Sequence, residues 1–277
     1  TCALPISPSQ AGGAVDPAPV RGLYVNKFIA KYVGGDNILG VAALEDELLE
    51  YCDRNNIRRL DLYNLDRWQL SDINPNANTA GNTISDDLCA FITKAKTQHC
   101  ILEIAAVGSD QSLFDDVNDY NTLHFTPPYI LSNSTIPNLE TTQPYLKFLE
   151  DTYNTNDGEI ALTSELLKFY LRINDFNNTH GLSCSVDIMT TELEFWWHGG
   201  LYWIPFSTVT SYLRNTLQPI ATTNNRPFRI HNYFGYSHDV YDETQCTIPM
   251  IETEANMIQV VKDNSDKIYV VDYRTQV

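Results

Sequence analysis

The sequence contains no apolar run of about 18 residues, the minimum length for a membrane-spanning helix. It also lacks the G-x-S-x-G, P-loop and G-x-G-x-x-G motifs. This excludes the serine hydrolases, NTPases and dinucleotide enzymes that depend on those motifs. Its 6 His and 6 Cys residues form no H-x-H, H-E-x-x-H or C-x-x-C pattern. We therefore expect neither a metal ion nor an organic cofactor.

Positive charge is also scarce. The chain has 18 Lys+Arg residues against 35 Asp+Glu residues, and its formal net charge is -17. Nucleic acids and anionic membrane surfaces bind basic patches, so both are excluded as partners. An acidic surface is compatible with a neutral ligand such as a glycan and keeps an exported protein soluble. Together with the many Tyr and Asn residues, this composition indicates a secreted or cell-surface protein.

The chain begins with a segment of unusual composition. Residues 1–20 are rich in Pro, Gly, Ala and Ser, and we expect a flexible leader of the kind that export processing leaves behind. Residues 21–277 then form a single domain. Among the cysteines, Cys52, Cys89 and Cys184 occupy predicted core-facing positions, where the thiol acts as a small apolar group. One or two disulfides are compatible with the spacing, which does not select a pairing.

Two kinds of apolar segment alternate along the rest of the chain. Short apolar runs predict strands at residues 21–28, 58–65, 101–107, 182–195, 228–236 and 267–273. Amphipathic segments predict helices at residues 45–57, 85–100, 159–175, 207–221 and 248–264. This order predicts an α/β fold in which helices cover a parallel sheet.

Two of these helices carry more detailed signals. Leu44, Leu48, Tyr51 and Cys52 follow helical spacing and predict the buried face of the first helix. Ser85 is the predicted N-cap of the second helix, because acidic residues follow it at the positive end of the helix dipole.

Six β/α units indicate a TIM-like (β/α) barrel, although a closed barrel of this type has about eight strands. We expect an open or truncated barrel, or one with two further strands at residues 123–130 and 201–206. Residues 109–158 separate the third strand from the third helix. This length predicts a long insertion between strands 3 and 4, beside a functional face.

The stretch VDIMTTELEFWW places carboxylates at the end of the fourth predicted strand. Side chains alternate along a strand, so Thr190, Glu192 and Glu194 share one face. Neighbouring carboxylates repel each other, and burial increases that repulsion. Structural roles rarely need such a pair, whereas acid–base chemistry often does. Active sites of parallel α/β folds lie at this end of the strands.

The same stretch resembles the D-x-x-D-x-D-x-E motif of glycoside hydrolase family 18, the chitinases and endo-β-N-acetylglucosaminidases. The residues at that spacing here are Asp187, Thr190, Glu192 and Glu194. The terminal Glu is kept, and an aromatic residue, Phe195, follows it as in the family. Thr190 and Glu192 stand where the family has Asp, and Thr190 cannot supply the missing negative charge.

The resemblance implies a substrate-assisted mechanism on an oligosaccharide or polysaccharide that contains N-acetylglucosamine. Glu194 would be the general acid that protonates the glycosidic oxygen. The N-acetyl carbonyl of the substrate would then attack the anomeric carbon and give an oxazolinium intermediate. Glu192 would hold the acetamide and raise the pKa of Glu194. The mechanism needs no metal and no cofactor.

Further residues are candidates for substrate contacts. Trp196, the aromatic residue nearest the acids, is the best candidate for stacking on a sugar ring. Tyr273 corresponds to the family's Tyr-Asp pair on the sixth strand, in inverted order, and would reach the acetamide. Asn232 and Tyr233 on the fifth strand are candidate hydrogen-bonding groups. Asp187 is as compatible with a structural role as with a functional one.

Two other functions remain open. The chain could be a non-catalytic glycan-binding or structural protein on the same scaffold, since a fold does not determine a function. It could also be a conventional two-carboxylate glycosidase, in which Glu194 acts with Asp272 or Asp66. In that case the carboxyl groups would lie about 5–5.5 Å apart for retention or about 6.5–9.5 Å apart for inversion.

Overall fold

The computed structural model describes residues 20–29, 35, 37–67, 69–74, 81–109, 165–180, 182–192, 207, 210–219, 229–236 and 254–272. The chain divides into two compact units. The first contains Thr1–Ala105 and Phe176–Val186, and the second contains Ala106–Asp175 and Asp187–Val277. No helix of the described ranges is long and apolar enough to span a membrane.

Six strands form one parallel sheet whose neighbours follow chain order. The strands are β1 (Gly22–Val25), β2 (Arg59–Tyr63), β3 (Glu103–Ser109), β4 (Ile188–Glu192), β5 (Arg229–Tyr236) and β6 (Lys267–Asp272). This confirms the predicted α/β class and the parallel order. Within the described chain, β1 and β6 are edge strands, so these six strands form an open sheet and not a closed barrel. The two candidate extra strands lie outside the described residues.

In the described part of the chain four α-helices accompany the strands, each near a predicted position. They are α1 (Ala42–Arg54), α2 (Ile84–Gln98), α3 (Glu165–Thr179) and α4 (Glu254–Asp263). A π-helix, Leu213–Leu217, lies in the helix predicted at residues 207–221. The insertion predicted between strands 3 and 4 falls almost entirely outside the described residues.

The first unit has its core between the sheet and helices α1 and α2. Leu60 and Leu62 of β2 and Leu49 of α1 are fully buried, as are the apolar residues of α2: Ile84, Leu88, Phe91, Ile92 and Ala95. Removing such side chains from water contributes roughly 1.5–3 kcal/mol each. The unit is therefore held together mainly by the apolar faces of these two helices.

The predicted buried face of α1 was partly wrong. Leu49 and Cys52 are its fully buried residues, whereas Leu44 and Tyr51 are 41% and 45% exposed. Leu44 precedes Leu49 by five positions, which places it about 140° away around the helix at 3.6 residues per turn. The stripe that faces the core is thus centred on Leu49 and Cys52.

The N-terminus of α2 begins earlier than predicted. Thr83, not Ser85, is the N-cap: its Oγ1 accepts a hydrogen bond from the Asp86 N–H at 3.0 Å, and Asp86 Oδ2 accepts one from the Thr83 N–H at 3.1 Å. This reciprocal pair is a capping box, with Asp at the third helical position. Ser85 lies within the first turn, and its hydroxyl bonds to His180.

Cysteines take two different roles in the first unit. Cys89 of α2 and Cys184, which follows α3, form a disulfide with Cα atoms 5.0 Å apart. Cys100 is disulfide-bonded as well, whereas Cys52 is a free, buried thiol. The prediction of a small apolar role therefore holds for Cys52, while Cys89 and Cys184 form a covalent link.

Asp266 connects three elements of the second unit. Its carboxylate accepts hydrogen bonds from the Ile230 N–H of β5 at 2.8 Å, from Arg214 Nη1 at 2.6 Å and from Gln218 Nε2 at 3.0 Å. Burial alone would raise the pKa of Asp266, but these hydrogen bonds and the Arg214 charge outweigh it and hold the pKa below its ordinary value. The start of β6 is thereby tied to β5 and to the π-helix segment.

Candidate functional site

The candidate site lies on one face of β4, β5 and β6, within the second unit. In the parallel register Thr190 pairs with His231, and Tyr233 pairs with Tyr269. Paired residues of neighbouring strands point to the same side, and residues two apart on one strand do so too. We call the resulting row the polar face; its members are Thr190, Glu192, His231, Tyr233 and Tyr269.

Most of the polar face is shielded from water. Thr190, His231 and Tyr233 are 1%, 2% and 6% exposed, and Glu192 and Tyr269 are half-buried. Burial of polar groups costs free energy unless they are hydrogen-bonded. Glu192 ends β4 and is more exposed than Thr190, so it lies at the more exposed end of the described part of the face.

His231 and Tyr269 form the best-defined contact on the polar face. His231 Nδ1 and Tyr269 Oη share a hydrogen bond of 2.8 Å, and the two rings meet edge to face with centroids 5.4 Å apart. The exposed Lys267 places its Nζ 5.5 Å from the centre of the Tyr269 ring. A cation above a Tyr ring is attracted to its electron-rich face. The contact therefore holds the imidazole and the phenol in one geometry.

Thr190 differs from its neighbours on the face. Its hydroxyl is fully buried and has no hydrogen-bond partner among the residues that the structure describes. Such a group costs about 1–3 kcal/mol. Thr190 stands at a position where the resembled motif has Asp, so the polar face carries one carboxylate fewer than that motif.

Asn232 lies on the opposite face of β5. Its Oδ1 accepts a short hydrogen bond from the Thr191 hydroxyl, and its Nδ2 donates to Ser265 Oγ at 2.7 Å. Ser265 in turn donates to the Val261 carbonyl of α4. This chain of bonds ties β4, β5 and α4 together. It orients the Asn232 amide away from Tyr233, its predicted companion in ligand binding.

Asp187 lies at the other end of β4 from Glu192. It precedes the strand, and its carbonyl accepts a hydrogen bond from the Arg229 N–H at 3.1 Å. Five residues of extended chain span about 16 Å. Asp187 is thus far from the end of the strand that carries Glu192.

Three of the predicted site residues, Glu194, Trp196 and Tyr273, lie outside the described residues. Of the remaining five, the structure brings Thr190, Glu192 and Tyr233 together on the polar face. His231 and Tyr269 were not among the predicted site residues. Strand periodicity assigns His231 and Tyr269 each to one face of its own strand. Only the register of β5 against β6 shows that both side chains lie on the same side of the sheet and can form a hydrogen bond.

The end of β2 in the first unit also carries polar residues. Asn64 adopts a positive φ of 68°, and its Nδ2 donates to the Ile29 carbonyl at 3.0 Å. Asn64 and Asp66 are 3% and 5% exposed, and the ring of Tyr63 lies 5.6 Å from that of Tyr24. The Asn64 amide therefore shapes the loop after β1, which is a structural role.

No protein-family model, curated protein or solved structure matches this chain.

Proposed function

We propose that this chain is a glycoside hydrolase that cleaves the β-1,4 bond next to N-acetylglucosamine, as in chitin or the core of N-glycans. The observation that supports it best is the position of Glu192. This carboxylate lies at the carboxyl end of a strand in a parallel sheet, on the same face as Thr190, His231 and Tyr233. Ligands of parallel α/β sheets bind at this end of the strands.

In the proposed reaction Glu194 protonates the glycosidic oxygen and Glu192 holds the acetamide of the substrate. The acetamide oxygen attacks the anomeric carbon, and water then opens the oxazolinium ion with retention of configuration. Glu192 is half-buried, where a negative charge acts on its neighbours more strongly than in bulk water. Its charge favours the protonated form of a nearby carboxyl group, which a general acid requires.

Substrate contacts are proposed for the aromatic residues of the same region. Tyr233 lies on the polar face beside Glu192 and is 6% exposed, so its contact with the substrate would be limited to that exposed part, and Trp196 would stack on a sugar ring. Tyr273 would reach the acetamide from the sixth strand. The acidic net charge of -17 does not oppose a neutral glycan ligand.

The test is release of a chromophore from chitobiose and chitotriose glycosides by the full chain. The variant Glu194→Gln removes the acid without changing the size of the side chain, and we expect a loss of about 10²-fold or more in kcat/KM. Glu50→Gln is the matched control, because Glu50 is an exposed residue of α1 whose side chain is 64% accessible. Equal activity of the two variants would contradict the proposal, as would a product of inverted configuration.

Thr190 favours one alternative, a glycan-binding protein without catalysis. An uncharged hydroxyl replaces a carboxylate of the motif, and its buried oxygen makes no hydrogen bond to a described residue. Calorimetric binding of chitotriose without any release of product would support this alternative. Thr190→Asp distinguishes the two further: we expect it to raise the turnover of an enzyme and to leave a pure binding protein inactive.

A further inference from the structure

A second group of chemically active side chains lies in the first unit, on different elements from the polar face. Cys89, His180 and Cys184 each offer one metal-ligating atom, and these three atoms lie within 4.8 Å of one another. Cys89 belongs to α2, whereas His180 directly follows α3 and Cys184 ends the short 3-10 helix Leu182–Cys184. A separation of 95 residues between the two cysteines conceals this group from any short sequence pattern.

The surroundings of His180 suit a metal ligand. One ring nitrogen, Nε2, shares a hydrogen bond of 2.9 Å with Ser85 Oγ, and the Phe176 ring packs against the imidazole with centroids 4.7 Å apart. Metal-ligating histidines commonly use the second nitrogen for a hydrogen bond that orients the ring. Ser85 and Cys89 are one helical turn apart on α2, and their contacts with His180 and Cys184 hold the four side chains together.

We propose that reduction of the Cys89–Cys184 disulfide converts this group into a Zn²⁺ site with Cys89, Cys184 and His180 as ligands. A tetrahedral zinc centre has Zn–S distances of about 2.3 Å and Zn–N distances of about 2.0 Å, so its ligand atoms lie roughly 4 Å apart. The three atoms lie within 4.8 Å of one another, and the two sulfurs, which are bonded to each other in the disulfide, must move apart to roughly 4 Å after reduction. A fourth position remains for water.

The chemistry balances with an external phosphine or thiol reductant. A phosphine donates two electrons to the S–S bond, and one water supplies the two protons of the new thiols and the oxygen of the phosphine oxide. A thiol reductant supplies both electrons and both protons and becomes a disulfide. Zn²⁺ then displaces those two protons and binds both thiolates and the neutral imidazole. Cys89 and His180 are half-buried, which leaves a route for reductant and metal, while Cys184 is 1% exposed.

Cobalt titration of the full chain tests the proposal, since Co²⁺ bound to thiolates gives a charge-transfer band and intense tetrahedral d–d bands. We expect one Co²⁺ to bind to protein reduced with a phosphine, Zn²⁺ to displace it, and the oxidised protein to show no band. His180→Ala should weaken Co²⁺ binding about tenfold or more, and Ser85→Ala should weaken it to a smaller extent through loss of the orienting hydrogen bond.

The control variants separate this site from the other cysteines. Cys52→Ser and Cys100→Ser should bind Co²⁺ as wild type does, whereas Cys89→Ser/Cys184→Ser should lose the charge-transfer band. Persistence of the band in that double variant would overturn the proposal, and so would its absence from the reduced wild type.

Far-ultraviolet circular dichroism is recorded in parallel. Helix lost on reduction and restored by Zn²⁺ supports the site, while helix that Zn²⁺ does not restore contradicts it.

Discussion

Arg59 and Asp61 form a buried ion pair within β2. Arg59 Nε donates to Asp61 Oδ2 at 2.9 Å, and the two side chains are only 7% and 0% exposed. Gly22 of β1 lies beside them in register, and a Cβ at that position would come within 3.0 Å of the guanidinium. Because Gly22 has no side chain, it leaves room for the Arg59 guanidinium.

Removal of the negative partner should destabilise the first unit strongly. We expect Asp61→Asn to lower the free energy of unfolding by roughly 3–5 kcal/mol, because it removes the negative charge that pairs with the buried Arg59 guanidinium. Urea denaturation followed by circular dichroism measures the change. The matched control is Glu50→Gln, which breaks the exposed Glu50–Arg54 pair of 3.5 Å and should cost at most about 1 kcal/mol. Equal costs for the two variants would show that the buried pair is not important for stability.

The capping box of α2 gives a second prediction. Thr83→Ala removes the hydroxyl that accepts from the Asp86 N–H and should lower the free energy of unfolding by about 1 kcal/mol. Thr97→Ala is the control on the same helix. Thr97 is exposed, and its hydroxyl donates to the Thr93 carbonyl one turn earlier. Removal of this hydroxyl should leave the free energy of unfolding unchanged or raise it slightly. If both variants unfold at the same urea concentration, Thr83 does not cap α2.

The same variant should change the titration of Asp86. Hydrogen bonds from the Thr83 side chain and backbone hold the pKa of Asp86 below its ordinary value. A lowered pKa stabilises the folded state above the ordinary pKa of Asp, and this contribution is lost as the pH falls through the lowered value. In Thr83→Ala we expect the NMR-measured pKa of Asp86 to rise toward that of an unperturbed Asp.

Asp266 should make the second unit acid-sensitive. Its folded pKa is lowered, so its stabilising effect is complete above the ordinary Asp pKa near 3.8 and is lost as the pH falls below that value. Asp266→Asn should therefore reduce stability at neutral pH and flatten the fall in stability between about pH 5 and pH 3. Asp263→Asn at an exposed position of α4 makes the same change in net charge and serves as the control. Identical pH profiles for the two variants would contradict the role of Asp266.

Cys52 should resist alkylation in the folded protein. Burial, and then the neighbouring Asp53 charge, raise the pKa of the Cys52 thiol to about 11, so the reactive thiolate is rare at neutral pH. We expect iodoacetamide to label Cys52 only after unfolding in urea, as measured by mass spectrometry of the Cys52 peptide. If the native chain were labelled as fast as a free peptide thiol, the Cys52 thiol would be readily accessible to solvent in the folded protein.

The pattern of apolar residues predicted the α/β class and the parallel order of the described strands. The runs around Leu60 and Ile188 were long enough to identify strands, and the amphipathic segments between them identified helices. Two local details were wrong, the N-cap of α2 and the exposed side of α1. Competing local signals caused both errors: Thr83 and Ser85 are both good caps, and Leu44 and Tyr51 are apolar without facing the core.

The sequence by itself determined the order of strands and helices and the shared face of Thr190 and Glu192, because both follow from local periodicity. The tertiary structure decided that His231 bonds to Tyr269, that Asn232 turns toward α4, and that Cys89 meets Cys184 beside His180. Those contacts join residues 33 to 95 positions apart. Only the register of the strands and the packing of the helices bring such residues within bonding distance, and no local pattern contains that information.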